Sequence, residues 1–282
     1  MCGIAGIIHY NKLEKVDENL LTLCRDTLLH RGVDDGANYI HQNMGLAHRR
    51  LSIIDLTESG HQPMISEDGN YIVVYNGEIY NYVALREMLL AKGVRFKSSS
   101  DTEVLLQMYI HFGKNMLHQL SGMFAFAIWD NIKEELFLAR DRVGIKPLHY
   151  CEVNNSFAFA SEPKALMKAY IPFEIEDERI NELLIYRFVA GKKTLYKNLY
   201  KLLPGHYLVV NHTGIKEKAQ WWNLKTAIEN HQPISDPKTW FFNTFNSAVK
   251  SHMVSDVPVG ILLSGGLDSS SIAASLNYQG FT

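Results

Sequence analysis

Cysteine at position 2 offers a nucleophile that could supply its own base. The chain opens Met1-Cys2-Gly3-Ile4-Ala5-Gly6. A small residue after the initiator Met allows that Met to be trimmed, which would make Cys2 the N-terminus. Its sulfur would then lie a few bonds from a free α-amine. Such an amine titrates near pH ~8, close to what a general base needs at neutral pH. N-terminal threonines combine the two roles in this way in other hydrolases. A bare Met-Cys start is more often an ordinary strand cysteine, so the weight falls on the rest of the chain.

A second constellation stands near the other end. Val257–Leu263 reads as a buried strand that runs into Ser264-Gly265-Gly266-Leu267-Asp268-Ser269-Ser270, with a helix after it. Two glycines let the backbone turn tightly, and the helix start adds unpaired N–H groups and the positive end of its dipole. Three serine hydroxyls complete a cradle for phosphate. The lysine of the G-x-x-x-x-G-K-[ST] loop is missing, so this is a different type of phosphate loop.

The elements that must position these residues come in two styles. Strands are expected at Ile4–Tyr10, Gly45–Ile54, Tyr71–Tyr75, Phe124–Asp130, Glu135–Arg140, His149–Val153, Phe157–Ser161 and His206–Val210. Helices are expected at about Asp17–Leu29, at Tyr82–Lys92 closed by Gly93, and at Thr102–Phe112 closed by Gly113. Many strands with helices between them predict an α+β sandwich. Residues 1–212 form this first domain. A polar connection covers 213–236, and a second, α/β domain starts at 237 with a helix over Pro237–Met253. The apolar residues of that helix, Trp240, Phe241, Phe245, Ala248 and Val249, share one face.

The 282 residues are 46% hydrophobic and 21% charged, with a net charge of -2. That fits a globular protein with a core and gives no reason to expect nucleic-acid or membrane partners. Three scattered cysteines make neither a disulfide framework nor a zinc site. The N-terminus lacks the charged and apolar regions of a signal peptide, and no apolar run is long enough to span a bilayer. The cytoplasm is the expected compartment.

Several strings together carry a family resemblance. Cys2-Gly3-Ile4-Ala5-Gly6 resembles the start of class II, N-terminal-nucleophile glutamine amidotransferases. Ser264–Ser270 resembles the loop of N-type ATP pyrophosphatases. The order of the two is that of glutamine-hydrolysing asparagine synthetases. His30-Arg31-Gly32, His48–Ile53, Tyr75–Asn81, Ser100–Glu103, Ala139–Leu148 and Phe159–Glu162 match the same family. The resemblance implies an αββα sandwich of antiparallel sheets, followed by the start of an ATP-pyrophosphatase domain.

It also implies roles. Cys2 would attack the glutamine carboxamide, with the Asn76 amide and the Gly77 N–H as oxyanion hole. Arg50 would clamp the α-carboxylate, which suits a planar guanidinium. Leu51, Ser52, Ile53 and Ile54 would line that wall, and Glu78 and Asp101 would pair with the α-ammonium. Taken alone, Asn76-Gly77 reads as a hairpin turn and Asp101 as a helix N-cap. Leu263 would lie against adenine, while Ser264, Gly265, Gly266 and Ser269 would wrap the phosphates of ATP and Asp268 would sit near Mg²⁺. Glutamine hydrolysis itself needs no cofactor. The acceptor would be L-aspartate, activated as an acyl-adenylate and attacked by ammonia arriving through an internal tunnel. Arg31, Lys146 and Glu162 carry no assigned chemistry, and a homodimer is compatible with the family.

Val33 departs from the usual Pro of its string, which relaxes a turn and need not touch the chemistry. The sequence stops one helix after the phosphate loop, and a doubly wound nucleotide domain requires several more βα units. The expectation is an N-terminal portion of a longer synthetase that retains glutaminase chemistry at most. Two other readings stand: an amidotransferase for another carboxylate, such as a sugar acid in envelope polysaccharide synthesis, and a non-catalytic binding module.

Overall fold

Successive side chains of a strand point to opposite faces, and here the central strands are apolar on both. In β1 (Gly3–His9), Ile4 and Ile8 join one cluster of buried residues while Ala5 and Ile7 join another. A strand buried on both faces must be covered on both, and that requirement builds the layers. After β1 come α1 (Glu18–Asp26), β2 (Asp35–His41), β3 (Met44–Arg50), β4 (Met64–Ile65), β5 (Tyr71–Ile79), α2 (Tyr82–Ala91) and α3 (Asp101–Phe112). Next are β6 (Gly122–Asp130), β7 (Glu135–Arg140), β8 (His149–Val153), β9 (Ser156–Ala160), α4 (Pro163–Ala169), α5 (Ile180–Tyr186), β10 (Tyr200–Lys201), β11 (His206–Asn211) and β12 (Gly214–Gln220). The chain continues through α6 (Leu224–Glu229), α7 (Pro237–Ser251) and α8 (Leu267–Tyr278). This is a computed structural model, and it describes residues 1–281.

The strands form two six-stranded antiparallel sheets, ordered β10-β8-β9-β1-β3-β2 and β12-β11-β7-β6-β5-β4. Ile4, Ile8, Leu46, Val74, Ala127 and Phe159 fill the space between them. Outside the first sheet, Leu21 and Cys24 of α1 and Leu166 of α4 pack on Ala5, Ile7 and Ala47. Outside the second, Leu85, Leu105 and Met108 of α2 and α3 cover Val73, Tyr75, Phe124 and Phe126. The result is the expected αββα sandwich. Gly6 lets the chain pass close to the core, since a Cβ there would lie 2.5 Å from the Phe159 ring.

The elements differ from expectation where function lies. The strand expected to run to Ile54 ends at Arg50, and residues 51–57 form a loop. The strand expected to stop at Tyr75 continues to Ile79, so Asn76-Gly77 is strand and not turn. Gly214–Gln220, read as connection, is the edge strand β12, and Trp221 is packed in the core, so the sandwich passes the expected limit at 212. Local turn signals at His212-Thr213-Gly214 were legible, but the polar β12 was not. Of the apolar stripe expected to be covered on α7, only Val249 is buried. Val257–Leu263, expected as a buried strand, is irregular, and Leu262 and Leu263 are 96% and 61% exposed. A strand exists by pairing, and nothing among the described residues pairs with this one.

Candidate active site

The antiparallel register of β1 and β3 pairs Gly3 with Arg49, which brings Cys2 alongside the end of β3. The Leu51 N–H donates to Cys2 Sγ at 3.4 Å, and the thiol faces the Leu51 carbonyl at 3.6 Å. The Cys2 backbone is tied down as well. Arg31 Nε donates to its carbonyl at 2.9 Å, and Arg31 Nη1 donates to Glu162 at 2.8 Å. Burial raises the Cys2 thiol pKa, opposed by the Leu51 amide and the chain's amino group. The thiol therefore keeps its proton until a base removes it. The terminal amine, at Met1 here, is lowered by burial, and the charges of Lys146 and Arg31 add to that effect. A lowered amine is a more available base at neutral pH.

Cys2 shares a pocket with Arg50, Leu51, Ile53, Ile54, Gly60, Gln62, Tyr75, Asn76, Gly77, Glu78, Asp101, Thr102 and Lys146. Asn76 is 1% exposed, and its Nδ2 has no hydrogen-bond partner among the described residues. A buried amide donor left unpaired is costly, and this one lines the cavity that holds the thiol. Strand geometry adds a second donor. Phe124, opposite Gly77, directs its N–H and C=O to Asp141, so the Gly77 backbone faces away from β6. The residues of like parity show where that edge looks. The Tyr75 N–H goes to Gln62 and the Ile79 N–H to Asp101. The Gly77 N–H lies between them. A Cβ at Gly77 would sit 2.3 Å from the Met123 carbonyl, so only glycine fits.

Arg50 is 7% exposed, and its guanidinium donates to the carbonyls of Thr57 at 3.1 Å, Ile54 at 3.4 Å and Asp55. No carboxylate pairs with it among the described residues. A buried cation held only by carbonyls is set to receive an anion. Gly60 gives it room, because a Cβ there would stand 2.1 Å from Nη2. Arg49, one residue earlier, instead turns to Asp26.

Asp101 is the first residue of α3, and Ser100 caps that helix by accepting the Glu103 N–H at 3.2 Å. The N-cap reading of Asp101 is thereby corrected. Its carboxylate accepts from the Tyr75 hydroxyl at 2.8 Å and the Ile79 N–H at 3.0 Å. Burial pushes it up to about 6, despite those donors. Glu78, half-buried on the same strand edge, is also raised by burial. Of the expected wall, Leu51, Ile53 and Ile54 line the pocket, whereas Ser52 does not, its N–H donating to Asp34 at 2.8 Å.

The serine loop lies apart and open. Gly265 has φ +78°, the left-handed region that favours glycine. Ser264 Oγ and Ser269 Oγ are 3.1 Å apart, and Ser269 Oγ donates to the Gly266 carbonyl at 3.2 Å. No side chain caps the N-terminus of α8, which leaves its first amides free for phosphate, with Asp268 in the first turn. Among the described residues, no group of three or more His, Cys, Asp or Glu side chains could hold a metal ion. Among the described residues, no helix is long and apolar enough to cross a membrane.

Residues 1–222 match the family of the glutamine amidotransferase domain. The chain belongs to this family. Residues 242–280 match the asparagine synthase family. Asparagine synthetase [glutamine-hydrolyzing] 1 of Bacillus subtilis is 39% identical over 97% of this chain and 43% of its own length. Amidase chry2 of Gibberella zeae is 33% identical over 99% of this chain and 43% of its own length. The chain thus spans less than half the length of these curated relatives. The solved glutamine phosphoribosylpyrophosphate amidotransferase of B. subtilis has the same fold over 78% of this chain and 49% of its own, with 20% identity and a TM-score of 0.57.

In the Cys2 pocket, sequence reasoning gave Lys146 no role, yet it lines the wall beside Cys2 and Glu78. Its placement is built by Asp141, a buried carboxylate that accepts from the N–H groups of Val143, Ile145 and Lys146 at 2.9–3.2 Å. Burial lowers the Lys146 pKa, and the nearby Glu78 opposes that shift. Glu162 has a placing role too. Burial raises its pKa, but hydrogen bonds from Arg31, His30 and Lys164 outweigh that and hold it at about 2. The Arg-Asp-Arg-Val-Gly-Ile-Lys string was the available signal, but a lysine's direction depends on a turn whose geometry only the fold supplies. Gly60 and Gln62 left no mark that sequence reasoning could use.

Proposed function

We propose that this chain is the glutaminase portion of a glutamine-dependent asparagine synthetase. One observation carries the reading. The Asn76 amide and the thiol of Cys2 line one pocket with a buried Arg50, and among the described residues neither the amide nitrogen has a hydrogen-bond partner nor the guanidinium a carboxylate. With Met1 removed, the Cys2 α-amine accepts the thiol proton, and Sγ attacks the carboxamide carbon of L-glutamine. Asn76 Nδ2 and the Gly77 N–H receive the oxyanion, at about 2.7–4 kcal/mol per donor. Collapse returns the proton to the leaving ammonia and gives a glutamyl thioester, which water hydrolyses to glutamate. Arg50 takes the substrate α-carboxylate, and Asp101 and Glu78 take its α-ammonium.

In the whole protein, L-aspartate is the acceptor and ATP with Mg²⁺ supplies the activation of its carboxylate. Leu263 would lie against the adenine. Ser264, Gly265, Gly266 and Ser269, with the open start of α8, would hold the phosphates, and Asp268 would sit near the metal. A second reading has another carboxylate, such as a sugar acid, accept the ammonia, since the chain also matches a Gibberella zeae protein named as an amidase and not as an asparagine synthetase. Product analysis with the full-length protein, offered aspartate and other carboxylates, separates the two.

The deciding experiment is ammonia release from L-glutamine, with the N-terminal mass measured on the same sample. Release by Met-free protein, and none by Cys2→Ala, is the expected result. No release from Met-free protein would overturn the glutaminase reading for this chain.

A further inference from the structure

The loop that holds Arg50 is itself held from outside the sandwich. Residues 51–57 come directly after β3, and three of their carbonyls, those of Ile54, Asp55 and Thr57, receive the guanidinium of Arg50. Asp55 sits at φ +53°, a left-handed conformation that a non-glycine residue adopts only when its surroundings enforce it. Its side chain is engaged by Thr57 and by the Ser99 N–H at 2.9 Å. Its backbone N–H donates to Asp256 Oδ2 at 2.7 Å, and the Asp256 N–H donates to the Ile53 carbonyl at 3.0 Å. Asp256 therefore brackets Ile53–Asp55 from both sides. Nearby, the His252 ring lies 4.3 Å from the ring of Tyr80, just beyond Glu78. Both residues belong to the segment between α7 and the serine loop, which lies in the stretch matching the asparagine synthase family.

We infer that Asp256 is a positioning residue for glutamine binding: by fixing the Ile53–Asp55 turn it orients the carbonyls that aim Arg50. The glutamine pocket is thus completed by the second part of the chain. Asp256 and the phosphate loop are joined only by Val257–Leu263, so ordering that loop and closing the glutamine wall act on one segment. The inference rests on Arg50 being the clamp for the substrate carboxylate.

The test is calorimetric titration of L-glutamine into the full chain carrying Cys2→Ala, which binds without turnover. Adding Asp256→Ala is expected to weaken binding about tenfold, the loss of roughly one partly buried hydrogen bond. Asp256→Asn keeps an acceptor oxygen and is expected to stay within about twofold. Unchanged affinity in the Ala variant overturns the inference while leaving the Arg50 reading intact. No glutamine binding with Asp256 present overturns both. If the Ala variant does not fold, Asp256→Glu with Cys2 in place is the second measurement. Raised KM with kcat retained supports the positioning role, and a fall in kcat with KM unchanged overturns it.

Discussion

The Cys2 pocket and the serine loop are built in opposite ways. Residues 2, 50, 76–78, 101 and 146 come from five places in the sequence, and both sheets and α3 bring them to one cavity. Arg31, Ser100, Asp141 and Gly60 fix their directions. The loop Ser264–Ser270 is contiguous, and its hydrogen bonds are local. Its approach stays unpaired, with Leu262 almost fully exposed. Long-range anchoring makes a preorganised site, because strands and buried polar partners leave little to reorganise when substrate arrives. A contiguous motif specifies a shape but brings no walls of its own.

The sharpest break in this comparison is Cys2→Ala, expected to abolish ammonia release with the melting temperature unchanged. Appreciable residual turnover would remove Cys2 from the nucleophile role. Next comes Asn76→Ala, expected to lower kcat by about 10²–10³, measured under saturating glutamine. A change confined to KM would mean that Asn76 binds substrate without stabilising the oxyanion. Arg50→Lys is expected to raise KM about tenfold and spare kcat, because a lysine cannot form the bidentate contact.

A smaller effect is expected from Asp101. Burial pushes its carboxyl up to about 6, and a substrate ammonium held there would pair only with the ionised form. KM for glutamine should therefore rise several-fold as pH falls through about 6, with Asp101→Asn showing the raised KM at every pH. The smallest effect contrasts the two regions directly. By hydrogen exchange, the amides of β1 and β5 should be protected, while those of Gly265–Asp268 exchange freely until MgATP is added. Strong protection of the loop without nucleotide would show that its geometry is as preorganised as the pocket's.

Much was legible in the sequence because it depends on local pattern. Alternation and turn residues marked β7 and β8 at their true limits, and Gly93 and Gly113, both at positive φ, closed α2 and α3 as expected. The motif strings carried Cys2, Arg50, Asn76, Gly77, Glu78 and Asp101, all of which line the pocket. What misled was isolated reading. Asn76-Gly77 has turn chemistry, but β6 offers a full ladder and keeps it extended. Val257–Leu263 has strand composition, but a strand needs a neighbour.

The sequence alone determined the chemistry available: a thiol beside a potential N-terminal amine, amide donors, two carboxylates, a guanidinium and a glycine-serine loop. The tertiary structure decided which groups act together and in what state. Among the described residues, it left Asn76 Nδ2 unpaired and denied Arg50 a carboxylate, and it raised Asp101 by burial and turned Lys146 inward. Those properties arise from desolvation and from partners far apart in the chain, and neither is encoded at the residue itself.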